Sequence, residues 1–289
     1  MKALSSRELS VKAFLDDAVE RYHRPEFLVT DPLQVAHRYG APEDQEVVGL
    51  LAAAFASGNI RAILSVLEKI LAVLGEHPAE WLRRRRPEEV RGAFPGIYHR
   101  WVRESDLEVL LALIGETLRR HGTLGALWRS LDDPRCATTW PTLARFVDAI
   151  LEMPIEPLAR RGRELRRADG SVSPLASVES VLLTSPERGS ACKRMNLFLR
   201  WMVRPADGID LGLWGSFVSP ARLLMPVDVH VMRQSQLLGL TRRKQPDQRA
   251  VMEITAKLRR FCPEDPCRYD FALVRVGIER KAKGHRGEG

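Results

Sequence analysis

Apolar residues recur at helical spacing along almost the whole of this chain, and strand-like alternation is nearly absent. One apolar stripe runs through residues 48–55 and a second through 60–71, with a break at Ser57, Gly58 and Asn59 between them. A third stripe follows Ser105-Asp-Leu-Glu108, a capping-box pattern that is typical of a helix start. The patterning therefore predicts an all-α fold.

Length, composition and charge narrow the class of protein. With 289 residues, of which 45% are apolar, the chain can bury one large core or two smaller ones. The formal net charge of +8 favours a polyanionic partner, and nucleic acid is the first candidate. The N-terminal residues lack the apolar stretch of a secretory signal, and no segment reaches the length of a membrane span. We therefore expect a cytoplasmic protein without membrane contact.

The four cysteines argue against a disulfide framework and against a metal site. Their low number is typical of a reducing compartment. Cys262 and Cys267 have no second close pair to accompany them, so the spacing does not suit zinc or an iron–sulfur cluster. The sequence predicts no metal and no cofactor.

One lysine lies where a helix start would alter its chemistry. Pro186-Glu-Arg-Gly-Ser190 predicts a turn followed by a helix, with Ser190 as a candidate N-cap and Lys193 in the first turn. The positive end of the helix dipole, Arg188 and Arg194 all disfavour a charged ammonium there. A neutral amine is the form that a nucleophilic lysine requires. Taken alone, a lysine is more often an ordinary exposed residue.

An aspartate occupies a second helix start. Asp228 follows Pro226-Val227 and opens an amphipathic helix, so a capping role accounts for it by itself. A capping carboxylate is held rigidly and stays ionised, and it can also stabilise a developing sugar cation or help to deprotonate a lysine. His230 suits an orienting or phosphate-contacting role, with a core histidine as the alternative.

These segments carry a resemblance to a known superfamily. Met225-Pro-Val-Asp-Val-His-Val231 resembles the corresponding segment of the 8-oxoguanine DNA glycosylases, which belong to the helix-hairpin-helix superfamily. Residues 46–71 are similar to the early helix–loop–helix of these enzymes, and residues 190–202 are similar to their lysine helix. The likeness is to the archaeal branch, and the chain also resembles an uncharacterised bacterial family with Ser-Ala-Cys-Lys-Arg and Pro-x-Asp-Val-His signatures. Ser185-Pro-Glu-Arg-Gly189 replaces the usual Leu-Pro-Gly-Val-Gly hairpin.

The resemblance implies a two-domain helix-hairpin-helix glycosylase-like fold with an interdomain cleft. Residues 44–204 are then the helical barrel domain that carries Lys193. Residues 1–43 and 205–280 form a second helical domain that carries Asp228. Residues 281–289 are expected to be a disordered basic tail.

The resemblance also implies a function. We expect a DNA repair glycosylase with AP lyase activity, a monomer that excises an oxidised purine such as 8-oxoguanine from double-stranded DNA after base flipping. Lys193 would attack C1′ of the sugar, and Asp228 would stabilise the sugar cation and manage the proton. The expected DNA-binding residues are Ser57, Gly58, Asn59, Gly189, Ser190, Ala191, Arg194, Arg200 and His230.

The sequence leaves two alternative functions and the identity of the stacking aromatic residue open. The first alternative is a non-catalytic nucleic-acid-binding protein that retains the fold, and the second is a structural or interaction protein in which the lysine lies on the surface and the aspartate is only a cap. The choice of stacking aromatic is also open, since core packing accounts for most of them. The candidates are Phe94, Trp101, Trp140, Trp201 and Trp214.

Overall fold

The computed structural model describes residues 3–155, 165–166, 172–173, 175 and 177–284. It is mostly helical, with 65% of the structure in helices and 2% in strands, which confirms the predicted all-α class. No helix in the described ranges is long and apolar enough to cross a membrane. Of the predicted disordered tail, 281–284 continue the last helix and 285–289 lie outside the described residues.

The α-helices of the described residues are α1 (Ser6–Tyr22), α2 (Pro42–Phe55), α3 (Ile60–Leu74), α4 (Pro78–Arg84), α5 (Pro87–Val90), α6 (Glu104–His121), α7 (Leu124–Leu131), α8 (Trp140–Leu151), α9 (Lys193–Val203), α10 (Val229–Leu237), α11 (Gln248–Phe261) and α12 (Asp270–Gly284). Two antiparallel strand pairs join β1 (Tyr98–His99) to β2 (Val102–Arg103) and β3 (Leu165–Arg166) to β4 (Val172–Ser173). Short 3-10 helices cover Pro25–Thr30, Pro32–Arg38, Pro186–Arg188, Pro220–Arg222 and Pro266–Tyr269, and a π-helical turn covers Val178–Leu182.

The chain forms two units. The first unit comprises Met1–Val29, Cys136–Trp140 and Gly189–Gly289, and the second comprises Thr30–Arg135 and Pro141–Arg188. This division differs from the predicted domains 44–204 and 1–43 plus 205–280, because helix α9 belongs to the same unit as Asp228. The physical reason is a set of buried ion pairs that joins α9 to residues 210–270.

Helix α2 forms the centre of the second unit. Its C-terminal part, from Val47 through Phe55, is buried, as expected for a helix that is apolar on all sides. Two buried carboxylates lie in its first turns. Asp44 accepts a hydrogen bond from the Ala79 N–H at 2.7 Å, and Glu46 accepts one from the Gly125 N–H at 3.1 Å. The acidic end of α2 therefore satisfies backbone donors at the starts of α4 and α7.

Helix α6 begins earlier than its capping pattern indicates. Its first residue is Glu104, so Ser105 lies inside the helix and is not its cap. The carboxylate of Asp106 accepts from the Arg103 N–H at 2.9 Å and from the Ser177 hydroxyl. Asp106, and not Glu108, is therefore the carboxylate that accepts from the N–H of the N-cap residue.

Buried ion pairs organise the first unit around α9. Arg200 is 1% exposed, and its Nε and Nη2 atoms donate to Asp210 at 3.0 and 2.9 Å. Its Nη1 atom donates to Asp270 at 2.5 Å. One turn later, Arg204 donates to Asp210 and, through Nε, to Asp265 at 2.8 Å. Two guanidinium groups therefore face three carboxylates in the interior, and each charge depends on the others for compensation.

Replacing Arg200 by methionine should lower the free energy of unfolding by about 3–5 kcal/mol, because buried Asp210 and Asp270 would lose their shared cation. Urea unfolding followed by circular dichroism measures the effect. Arg249 is exposed on α11, and Arg249→Met is the matched control with an expected change within about 0.5 kcal/mol. Equal stability of the two variants would contradict the importance of the network.

Candidate active site

Lys193 is the first residue of α9, which confirms its predicted place in the first helical turn. Its side chain is half-buried. Arg194 follows it, and the apolar face of the helix, which includes Met195 and Phe198, is buried in the first unit. The amphipathic pattern of α9 therefore anchors the helix and leaves Lys193 and Arg194, at its start, partly exposed.

Side-chain hydrogen bonds fix the start of α9. The N-cap is Cys192, which has a left-handed backbone with φ 51°, and it is not the predicted Ser190. Ser190 lies two residues earlier, where its Oγ atom accepts from the Cys192 N–H at 3.0 Å. The Asn196 amide donates to the Ala191 carbonyl at 3.1 Å, and its oxygen accepts from the Trp140 indole N–H at 3.2 Å. The first turn of α9 is therefore braced from both sides.

The segment Gly189, Ser190 and Ala191 is the predicted phosphate contact. Gly189 is exposed and has φ 76°, in the left-handed region that favours glycine. Within the described residues, the backbone N–H groups of all three donate to no acceptor. The segment thus retains the donors that an anion at a helix start needs.

Asp228 is the N-cap of α10, as the sequence predicts. Its Oδ1 atom accepts hydrogen bonds from the His230 N–H at 2.8 Å and the Val231 N–H at 2.9 Å. Its Oδ2 atom makes no hydrogen bond in the part of the chain that the structure describes, and the side chain is half-buried. One oxygen therefore holds the carboxylate in place, and the other can face a ligand.

A buried carboxylate lies within electrostatic range of the lysine and the aspartate. Asp270 is the first residue of α12 and is 2% exposed, and the charges of both Lys193 and Asp228 act on it. The pKa of Asp270 is raised to about 6, chiefly because the carboxyl is buried; Arg200 opposes the rise, and the smaller effects of Asp228 and Lys193 act in opposite directions. Its Oδ1 atom is buried and has no hydrogen-bond partner among the described residues. Lys193, Asp228 and Asp270 form the Lys–Asp cluster.

Three other predicted DNA contacts lie near this cluster. Arg200 cannot serve as a DNA contact, because its guanidinium is buried and bonded to carboxylates, so we reassign it to the interior network. Arg194 and His230 are half-buried. The Cβ of His230 lies 3.6 Å from the position that a Cβ on Gly277 would occupy, which shows that α10 packs on α12 at this point. Arg194 and His230 both keep part of their surface exposed.

The second unit contains the predicted loop Ser57, Gly58 and Asn59. Asn59 is the N-cap of α3, because its Oδ1 atom accepts from the Arg61 N–H at 2.8 Å. Gly58 has φ 111°, a backbone conformation that favours glycine. The Ser57 carbonyl is 2.9 Å from the His99 Nε2 atom. Asn59 therefore caps α3, and its contact with DNA stays a prediction.

An exposed aromatic turn borders this loop. Arg100 and Trp101 connect β1 to β2, and Arg100 has φ 55°, which is unusual for a residue with a side chain. The Arg100 Nη1 atom would lie 3.3 Å from a Cβ on Gly58. Tyr98 is 68% exposed and Trp101 61%. The other aromatic candidates are buried or half-buried: Phe94, Trp140, Trp201 and Trp214.

Among the described residues, one group of side chains has ligand atoms close enough together to hold a metal ion. His23, Asp207 and Asp210 place their ligand atoms within 4.8 Å of one another. Arg200 and Arg204 already donate to both oxygens of Asp210. Since two buried guanidinium groups neutralise that carboxylate, the local electrostatics oppose a further cation.

Sequence reasoning did not single out Asp270 or Tyr98. Asp270 precedes the apolar residues Phe271, Ala272 and Leu273, a pattern that indicates a helix start and could have marked the position. Its proximity to Lys193 and Asp228 depends on tertiary packing, for which the local sequence offers no signal. Tyr98 is exposed because it lies in a two-residue strand. Such a short strand has no alternating sequence pattern that would indicate which of its side chains is exposed.

Comparison with known proteins identifies a family without a described function. Residues 31–279 match the family described as "Protein of unknown function (DUF2400)". No curated protein and no solved structure matches the chain. Since the match includes every residue of the Lys–Asp cluster and most of the sequence, the chain belongs to the DUF2400 family.

Proposed function

We propose that this protein is a DNA glycosylase with AP lyase activity that removes an oxidised purine such as 8-oxoguanine from double-stranded DNA. The proposal includes the helix-hairpin-helix glycosylase-like fold and a place in the bacterial cytoplasm. One observation carries it: Lys193 begins α9 and Asp228 caps α10, and both helix starts belong to the same unit of the chain. An amine and a carboxylate held on rigid elements are the groups that Schiff-base excision needs.

The chemistry follows from the two side chains. The neutral Lys193 amine forms a bond to C1′ of the flipped nucleotide while the bond from C1′ to the base nitrogen breaks, and the base leaves with the electron pair and takes up a proton. Asp228 stabilises the positive charge that develops on the sugar, and it accepts a proton from the lysine nitrogen. Opening of the sugar ring then gives a protonated Schiff base, and β-elimination of the 3′ phosphate cleaves the strand.

Asp270 acts on this reaction without touching the substrate, because it is buried. The ion pair with Arg200 fixes its position. We therefore assign Asp270 as a positioning residue for the Lys–Asp cluster.

The rest of the protein supplies features that suit a DNA ligand. The net charge of +8 favours association with a polyanion. The backbone N–H groups of Gly189, Ser190 and Ala191, which donate to no acceptor among the described residues, suit a phosphate beside Lys193. In the second unit, the loop at Ser57, Gly58 and Asn59 and the neighbouring Trp101 offer polar and stacking groups to bases.

Replacing Trp101 by alanine should weaken binding to a duplex with one abasic site by about ten- to a hundredfold, because an exposed ring that stacks on a base is lost. Fluorescence anisotropy of a labelled duplex measures the affinity. Leu9→Ala removes another exposed apolar side chain, on α1, and should leave the affinity unchanged. If both variants bind as the wild type does, Trp101 does not stack on DNA.

Borohydride trapping tests the proposed function. The wild-type protein is incubated with duplexes that contain 8-oxoguanine, an abasic site or no lesion, and sodium borohydride reduces any Schiff base to a stable amine. We expect a covalent protein–DNA product with the two damaged duplexes only. Tight binding to all three duplexes without trapping would instead favour a non-catalytic nucleic-acid-binding protein.

A further inference from the structure

A cavity of about 360 Å³ lies in the first unit, among residues of α1, α11 and the segment that follows α10. Its volume falls within the range of about 300–1,000 Å³ that is usual for small-ligand sites. None of its lining residues belongs to the Lys–Asp cluster. The cavity is therefore a separate feature of the unit.

Three cationic side chains line this cavity: Arg7 from α1, Arg242 after α10, and Lys257 from α11. Within the described residues, neither Arg7 nor Arg242 forms an ion pair. Lys257 donates from Nζ to the Gly239 carbonyl at 2.7 Å, a neutral partner that leaves its charge uncompensated. Three cations around one space repel each other, so an anion bound there would relieve the repulsion.

The acidic residue at the cavity does not neutralise these cations. Glu8 accepts hydrogen bonds from the Ser5 N–H at 2.8 Å and from the Ser5 hydroxyl at 2.9 Å. It also accepts from Arg260, with the Nη2 atom at 3.3 Å. Since Arg260 does not line the cavity, the negative charge of Glu8 is balanced by a cation outside the cavity. The cavity keeps an excess of positive charge.

The backbone of the cavity wall suits close approach by an arginine. Gly239 has φ 71°, and a Cβ at this position would lie 3.0 Å from the Arg7 Nη2 atom. A side chain would therefore be strained by the backbone and would displace Arg7. Val11, Leu240 and Phe261 add apolar surface, which offers contact to an uncharged part of a ligand.

We propose that this cavity binds a phosphate monoester, either a free nucleotide or the phosphorylated end of a nucleic-acid strand. A monoester carries up to two negative charges, which suits three cations better than a singly charged carboxylate does. The two guanidinium groups supply forked donors for its oxygens, and Lys257 supplies a point charge. The apolar residues face the sugar or base. This inference does not depend on glycosylase activity.

Isothermal titration calorimetry tests the proposal with three probes: a nucleoside 5′-monophosphate, a 5′-phosphorylated trinucleotide and the same trinucleotide without its terminal phosphate. We expect at least one phosphorylated probe to bind about tenfold or more tightly than the unphosphorylated one. Preference for the mononucleotide indicates a free nucleotide, and preference for the phosphorylated trinucleotide indicates a strand end. Equal binding of the phosphorylated and unphosphorylated trinucleotides, with no binding of the mononucleotide, would overturn the proposal.

Matched variants locate the binding site. Arg7→Gln and Arg242→Gln should each weaken binding of the preferred probe by about tenfold, because each removes a charged donor. Both residues are exposed, so the fold should tolerate the changes. Arg249→Gln removes an equal charge from an exposed residue of α11 outside the cavity and should change the affinity less than about twofold. An equal loss in all three variants would assign the binding to general surface charge.

Discussion

Replacing Lys193 by glutamine should abolish borohydride trapping on duplexes with 8-oxoguanine or an abasic site. Glutamine has a similar length but no nucleophilic amine, so no Schiff base can form. Arg200 cannot replace the lysine, because its guanidinium stays protonated and is bonded to Asp210 and Asp270. Denaturing gel electrophoresis of the reduced mixture measures the loss of the covalent product.

The same variant should still bind DNA, because it removes one positive charge from a chain with 45 lysines and arginines. Lys69 is exposed on α3, and Lys69→Gln is the matched control that removes an equal charge. The control should trap as efficiently as the wild type. If Lys193→Gln is trapped to the same extent as the control, the nucleophile is another residue.

Replacing Asp228 by asparagine should lower the rate of trapping by about 100- to 10,000-fold. The reason is the loss of the negative charge that stabilises the sugar cation and accepts the proton. Asparagine caps a helix nearly as well as aspartate, so the hydrogen bonds to His230 and Val231 can persist and the melting temperature should change little. Single-turnover trapping and thermal unfolding measure the two effects separately.

Asp247 provides the matched control for this variant. It is the N-cap of α11, and its side chain accepts from the Ala250 N–H at 2.8 Å, but it lies outside the Lys–Asp cluster. Asp247→Asn should therefore leave the rate of trapping unchanged. Activity of Asp228→Asn within a few fold of this control would reduce Asp228 to a helix cap.

The helices and two of their starts could be predicted because the interactions that determine them join residues close together in the sequence. Apolar spacing reports which face of a helix is buried, and a capping aspartate interacts with residues two and three positions later. This is why the positions of Lys193 and Asp228 at helix starts agree with the structure. Where a cap is formed by an unusual residue, as at Cys192 with its left-handed backbone, the pattern gave the wrong cap.

The grouping of elements into units could not be predicted in the same way. Helix α9 belongs with Asp228 because Arg200 bonds to Asp210 and Asp270, ten and seventy positions away. No periodic pattern marks such pairs, and an arginine on the polar side of a helix has the same sequence signature whether it binds a buried carboxylate or a phosphate. The predicted DNA contact at Arg200 was wrong for this reason.

Exposure of individual aromatic residues also depends on tertiary structure. Trp201 and Trp214 are buried among the helices of the first unit, and Trp101 extends from a two-residue strand pair. All three have apolar or basic neighbours in the sequence, so composition does not separate them. The structure therefore selects Trp101 as the stacking candidate, and its role in binding stays a proposal.

Mapping of the trapped adduct by mass spectrometry identifies the residue that attacks the sugar. The wild-type protein is reduced with borohydride on an abasic duplex, the DNA and protein are digested, and the modified peptide is sequenced. We expect a reduced deoxyribose remnant on the ε-nitrogen of Lys193. A remnant on another lysine or on the N-terminal amine, or no covalent product at all, would contradict the claim that Lys193 is the nucleophile of a DNA glycosylase.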